Sequence, residues 1–534
     1  MFILMRPQTW NPPIALSELE QKVNKRIKKA KLFSFLREHR HEIFNEEFQQ
    51  EMSTLFKDST VGQQPVFPAQ LALATILQAY TNISDDELIE ALVMDRRWQL
   101  VLDCLDCEIG PFGKGTLVRF RAVLIAKDFD RRLVERTIEV AKEKERFNYK
   151  NLRGALDSSP LWGAARVEDT YNLLGHALRK ALTIIAKDQK KTLETVAAES
   201  GAEILAGSSL KAALDLDWDD PNARGSALNK ILEVLNAVEF KLQQTPELES
   251  ETVEGVNKNI SIARQIQQQD VEETAEMGNP KLKKGVAKDR RISIEDKEMR
   301  HGRKNKSMKI NGYKRHVLTD LDSGLVRAVG VTPANVPEAT VTDDIEADLA
   351  AVGVTLKELH IDRAYLSSNL VKNRDESLMI ICKAWPVLSG KHFSKQAFTL
   401  DWEQQLIYCP NQVSIPFTPG KAAHFPSSIC ASCPLKEQCT TSKNGRSISI
   451  HADEKLLEEL RQRQATPKGR AQLRERVQVE HTLAHIGYWQ GDRARYLGQR
   501  KNLFDLRRLA VVHNLHVLAR MSIFTKNNTN AYAT

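Results

Sequence analysis

Strand-forming sequence surfaces in three separated places in a chain that otherwise reads as helix and loop. Residues 151–157, Asn-Leu-Arg-Gly-Ala-Leu-Asp, read as a short strand that Ser158-Ser159-Pro160 breaks. Stretches 310–320 and 325–332, rich in β-formers, flank Asp322-Ser323-Gly324 and predict an antiparallel hairpin. Stretch 356–362 reads as a strand again. Two of these pieces end in an aspartate, Asp157 and Asp362, in a chain whose expected fold class is α/β.

Helical periodicity marks out the rest. Residues 1–145 predict an N-terminal all-α domain, with an early basic helix carrying Lys22, Lys25, Arg26, Lys28, Lys29 and Lys31. Pro65 and Pro68 precede an apolar-periodic run over 71–80, and Ser84 with Glu87 makes a capping-box start for the next helix. Two helices around a short turn suit a DNA-reading helix-turn-helix as well as an ordinary core. Residues 146–190 and 286–390 hold the α/β parts. Between them, 191–285 reads as an acidic helical insertion with Leu228, Ile231, Leu232, Leu235 and Val238 on one stripe. A small cysteine-containing insertion follows at 391–453, helices return over 454–525, and the tail 526–534 is expected to be disordered.

With 534 residues, 42% of them apolar, the chain can bury several cores, and three or four domains are expected. It contains no uninterrupted apolar run of membrane-spanning length, and its first residues lack a signal-peptide core. A cytoplasmic protein is the expectation. The net charge of +8 conceals a sharp local contrast. Residues 288–315 hold eleven Lys and Arg against four Asp and Glu, whereas 194–276 hold seventeen acids against six bases. A polyanion responds to such local fields rather than to the total. Candidate phosphate contacts are Arg303, Lys304, Lys314 and Arg315 in the first basic stretch, and Arg493 in a second at 493–508.

Asp157, Asp362 and, far downstream, Glu480 form a candidate set of hard oxygen ligands. Two-metal phosphoryl transfer places two divalent ions about 3.5–4 Å apart, and carboxylates can bridge both. Arg476 precedes Glu480 by four residues and shares its helix face, the spacing of a common surface ion pair. Cys409, Cys430, Cys433 and Cys439 run C-x20-C-x2-C-x5-C, which suits a tetrahedral zinc site. A [4Fe–4S] cluster and plain reduced thiols stay open.

Several ordered motifs then resemble one family. The run from Asp157-Ser158-Ser159-Pro160-Leu161-Trp162 to Leu173-Leu174 is similar to the segment around the first catalytic aspartate in transposases of the bacterial insertion sequence (IS) 1182 family. Asp296, Arg300, Arg303-Lys304, Gly312-Tyr313-Lys314 and His316 resemble its basic lead-in and hairpin. His360-Ile361-Asp362-Arg363-Ala364-Tyr365 resembles the second aspartate's setting, and Arg476 to Glu480 that of the third acid. The similarity covers nearly the whole chain.

The resemblance implies a DDE transposase with a ribonuclease H-like core, a mixed sheet flanked by helices and interrupted by insertions. Asp157, Asp362 and Glu480 would bind two Mg²⁺ ions. Double-stranded DNA, both transposon ends and target, would be the partner of a homodimer. Ends would be nicked hydrolytically and the freed 3′-hydroxyl would attack target DNA, with Arg476 on a phosphate. Related sequences also carry Tyr and Lys at offsets that fall here on Leu473 and Gly487, so those roles do not transfer; Arg493 or Lys501 stands nearby. Two other readings belong to different classes: an inactive or domesticated DNA-binding protein, and a nuclease of the same core that cuts without joining.

Overall fold

The computed structural model describes residues 6–57, 64–144, 149–207, 209–243, 249–272, 280–304, 306–386 and 390–521. The expected disordered tail 526–534 lies outside them. One sheet gathers all the sequence-predicted strands. β1 (Asn151–Trp162), β2 (Arg300–Arg303), β3 (Lys309–Asp320), β4 (Val326–Pro333), β5 (Thr355–Ile361) and β6 (Met379–Cys382) form it in the order β2-β3-β1-β5-β6, with β4 also on β3. β1 and β4 run antiparallel to β3, whereas β1, β5 and β6 are mutually parallel.

The expected break of β1 at Ser158-Ser159-Pro160 is corrected. The strand continues to Trp162, and Pro160 sits opposite Lys314 of β3. Trp162 turns its N–H to the Asp492 carbonyl and its carbonyl to the Ala494 N–H, on the side away from β3. Two residues earlier, Pro160 faces that same side, so its missing N–H removes no bond from the β3 ladder.

The β3–β4 hairpin forms as expected. Asp320 accepts from the Asp322 and Ser323 amides, and Gly324 closes the turn at φ +77°. Farther along β3, Gly312 holds φ +150°, and a Cβ there would lie 2.3 Å from the Gly163 nitrogen and 2.5 Å from the Leu161 oxygen. Only glycine allows this approach of the two strands. On β3 itself His316 is fully buried, its ring nitrogens 2.9 Å from the Tyr365 hydroxyl and from Thr332 Oγ1 of β4. Burial pushes its pKa down to about 3.

The N-terminal residues are helical, but their packing does not set them apart. A single apolar core runs from Trp10 through the buried helix Pro68–Thr81 to β3, β4 and the last described helix, Gln499–Leu518. Asn514 on that helix exchanges hydrogen bonds with Val326 of β4 and donates to Thr137. Fully buried Arg508 donates to Gln78 and Asp505.

The Ser84–Glu87 capping box starts helix Asp85–Met94 as predicted. That helix carries Asp85, Asp86, Glu87 and Glu90 and no base, and two of these acids pair with Arg121 and Lys114. Its charge opposes entry into a DNA groove.

Helices Thr170–Asp188, Pro221–Gln243 and Ser250–Asp270 build a second core of their own. The insertion's packing therefore begins near residue 170 rather than 191. The segment holding Cys409 to Cys439 forms two small sheets of three-residue strands around a core of Phe398, Ile407, Phe417, Phe425 and Ile448. Among the described residues no helix is long and apolar enough to cross a membrane.

Two predictions concern this scaffold. Gly312→Ala is expected to cost about 3 kcal/mol through strain and steric conflict, read as a lowered urea midpoint. His316 is held neutral, so the stability it contributes is present above its ordinary pKa of 6.5 and is lost as pH falls toward about 3. His316→Gln is expected to be less stable at pH 7 but to lose stability less steeply between pH 6.5 and 4, measured by thermal melts across that range.

Candidate active site

The site follows from where the parallel β1–β5 ladder stops. Leu156 of β1 pairs with Ile361 of β5, the last pair of that ladder. The next residues are Asp157 and Asp362, so the register sets two carboxylates side by side where β5 ends. β1 runs on along β3, which leaves its other edge open at Asp157. Asp362 begins a short turn and accepts from the Arg363 amide.

Glu480 arrives from helix Val477–Gln490. The preceding helix, Pro467–Glu475, starts with Pro467 at its first position and Thr466 as a cap that accepts from the Gly469 amide. Arg476 joins the two helices with helical backbone angles, so Arg476 and Glu480 keep their four-residue relation. Its guanidinium donates to Asp157 Oδ2 at 2.7 Å and to Glu480 Oε1 at 2.9 Å. The ion pair that the four-residue spacing allows is present, and Arg476, expected on a DNA phosphate, here bridges two of the three acids.

Burial pushes the Asp157 carboxyl above its ordinary range; the Ser158 amide and Arg476 oppose this, and nearby Asp362 and Glu480 add to it. The side chain of Asp157 is 17% exposed and that of Glu480 52%, so the first acid lies at the back and the third at the mouth. The donor set is three carboxylates without thiol or imidazole, the chemistry of a hard divalent cation. Among the described residues no group of three or more His, Cys, Asp or Glu side chains is arranged to hold a metal ion. At this site the Arg476 guanidinium stands between two of the acids.

A cavity of about 380 Å³ opens beside Asp362, with Lys383, Arg470, Arg474 and Arg476 on its rim and Ile381 and Leu473 on its wall. None of the first three was singled out from sequence. Arg153 was also missed. It donates to Asp322, Glu358 and Glu475, and so ties β1 to the hairpin turn, to β5 and to the helix end next to Arg476. One signal was available: Arg153 and Asp157 are four apart on a strand and share a face.

The basic candidates divide. Arg303, the last residue of β2, and Lys304 after it are exposed, with Arg303 also donating to the Lys306 carbonyl. Arg315 is buried and donates to Ser159, Gln490 and the Gly491 carbonyl. Lys314 is buried and donates to the Val336 carbonyl. These two are corrected from DNA contacts to internal ties. Arg493 is exposed but spends its guanidinium on the Gly163 and Ala164 carbonyls. At Gly487 a Cβ would lie 3.2 Å from the Arg315 guanidinium, a tight contact for any larger residue there.

The four cysteines are free and partly exposed. Burial raises the Cys439 thiol; Arg446 opposes this, and Cys430, Cys409 and Cys433 are near enough to add to it. Cys409, Cys430 and Cys439 pack against the small Phe398–Ile450 core as apolar side chains do. Neither the expected zinc site nor the [4Fe–4S] alternative finds support in this arrangement.

Three family models match separate parts of the chain. Two are described as a transposase DDE domain, over residues 276–381 and 409–519, and one as a transposase domain (DUF772), over 18–122. Neither a curated protein nor a solved structure matches. The matched segments include Asp362 and Glu480 but not Asp157. Together these matches support a DDE transposase family for the chain.

Proposed function

We propose that the protein is a transposase of the insertion sequence (IS) 1182 type. In this reading it cuts DNA at the ends of its element and joins the freed 3′-hydroxyl to target DNA. The observation that carries this is that Asp157 and Asp362 follow the last pair of the β1–β5 ladder and that Arg476 joins Asp157 to Glu480, with Asp362 and Glu480 inside segments similar to transposase DDE domains. The strand order, with hairpin strands antiparallel on one side of β1 and β5 and β6 parallel on the other, supports a ribonuclease H-like core.

Asp157, Asp362 and Glu480 are the residues that would hold two Mg²⁺ ions. Bound there, the ions would lower the pKa of an attacking water or hydroxyl and offset charge on the leaving oxygen. The chain's own part is positional. The β1–β5 register aligns two acids, and Arg153 holds the Glu475–Arg476 joint against the sheet, which sets the approach of the third. The exposed Arg303 and Lys304, with the basic rim beside Asp362, give a DNA strand a sequence-blind path past the acids. A homodimer on paired ends completes this reading.

Labelled duplexes from the flanks of the reading frame, incubated with full-length protein and Mg²⁺, test the proposal. Strand-transfer products are the expected outcome; cleavage alone would point to a nuclease, and a gel shift without cleavage to a binding protein. Glu480→Gln is expected to lower cleavage more than about a hundredfold, since loss of outer-sphere partners alone costs 10–100-fold at metal sites, while DNA binding persists. Near-normal cleavage by that variant would rule out the triad. Replacing Arg303 and Lys304 by Ala is expected to weaken DNA binding and to flatten its salt dependence by about two in logarithmic slope, read from binding isotherms at several salt concentrations.

A further inference from the structure

In this structure the Arg476 guanidinium is spent on two of the candidate metal ligands. We propose that it is a stand-in cation, holding Asp157 and Glu480 together in the metal-free protein and giving up both when a divalent ion binds. This rests on the reading of the three acids as metal ligands.

Three carboxylates gathered for a cation repel one another before the cation arrives, and burial of Asp157 sharpens that cost. The Arg476 guanidinium meets the need. One nitrogen is 2.7 Å from Asp157 Oδ2 and the other 2.9 Å from Glu480 Oε1. The planar fork spans two acids that come from segments more than three hundred residues apart. The side chain is 26% exposed, so water screens it only in part. Its backbone position also suits this role. As the joint between helices Pro467–Glu475 and Val477–Gln490, Arg476 sits one turn before Glu480, and its neighbour Glu475 is pinned by Arg153.

The consequence is competition. A divalent ion coordinated by both Asp157 and Glu480 takes the oxygens that Arg476 now holds, so ion binding and release of the guanidinium are one event. The metal-free site is kept assembled, at the cost of weaker metal affinity. Arg474, two residues away on the rim of the same cavity, is not joined to these acids and supplies the comparison.

Titration calorimetry of Mn²⁺ into the full chain tests this. Arg476→Ala is expected to bind Mn²⁺ at least about fivefold more tightly than wild type, the lower end of ordinary coupling between sites, whereas Arg474→Ala stays within about twofold. Its metal-free melting temperature is expected to be lower than wild type, and its rise on adding Mn²⁺ larger. Unchanged or weaker Mn²⁺ binding by Arg476→Ala overturns the stand-in role, as does equal tightening by Arg474→Ala, which would mean a general charge effect. Asp157→Asn separates the two levels. If it binds Mn²⁺ as wild type does, the metal-site reading itself fails; if it loses binding while Arg476→Ala gains nothing, only the stand-in role fails.

Discussion

The parallel pairing of β1 with β5 is the constraint on which the site depends. Leu156 and Ile361 are both fully buried and directly opposed, and their burial is what holds the register. Side chains alternate along a strand, so a slip of one residue would turn Asp157 or Asp362 to the other face. The apolar cluster beneath includes Leu152, Leu156, Leu359 and Ile361 of these two strands and Leu318 of the hairpin. Packing of those residues, on the opposite face of the strands from the acids, decides whether two carboxylates share one edge.

A second layer of organisation is ionic. Arg153 gathers three acids from the hairpin turn, β5 and the helix before Glu480, and Arg476 links two more. Each guanidinium joins segments distant in sequence, which a planar group with several donors does well. Exposed pairs of this kind contribute little individually. Their value here is placement, because they set the third acid's helix against the sheet.

Much of the sheet was legible in the sequence. The hairpin, the strand before Asp362, the Ser84 capping box and the helical relation of Arg476 to Glu480 all depend on local pattern, and each appears in the structure. What failed was non-local. Ser158-Ser159-Pro160 looked like a terminator because the sequence does not reveal which edge of β1 is open at Pro160. Arg315 and Lys314 looked like phosphate contacts because a run of bases carries no label for burial. The bridge from Arg476 to Asp157 depends on tertiary contact and left no trace in spacing. The cysteine spacing suited a metal site with plain thiols left open; the structure brings the four thiols near one another and packs three of them on a small apolar core, without support for zinc. The three acids are candidates from strand ends and motif resemblance; the link from Asp157 to Glu480 through Arg476 is a product of the fold.

The shared core of the N-terminal helices and the helix Gln499–Leu518 bears on synthesis. The buried helix Pro68–Thr81 finds its partners Arg508 and Leu515 only after more than four hundred further residues have been made. Until then only the face of this helix that meets Gln499–Leu518 lacks its native cover, since helices Glu46–Ser53, Arg96–Leu102 and Lys114–Ala126 already pack on it, and exposed apolar surface of that kind favours aggregation. A copy of the gene cut short by a frameshift would lose this closing helix and yield a polypeptide with an open core, prone to proteolysis. Such a fold couples the soundness of the reading frame's far end to the survival of its product.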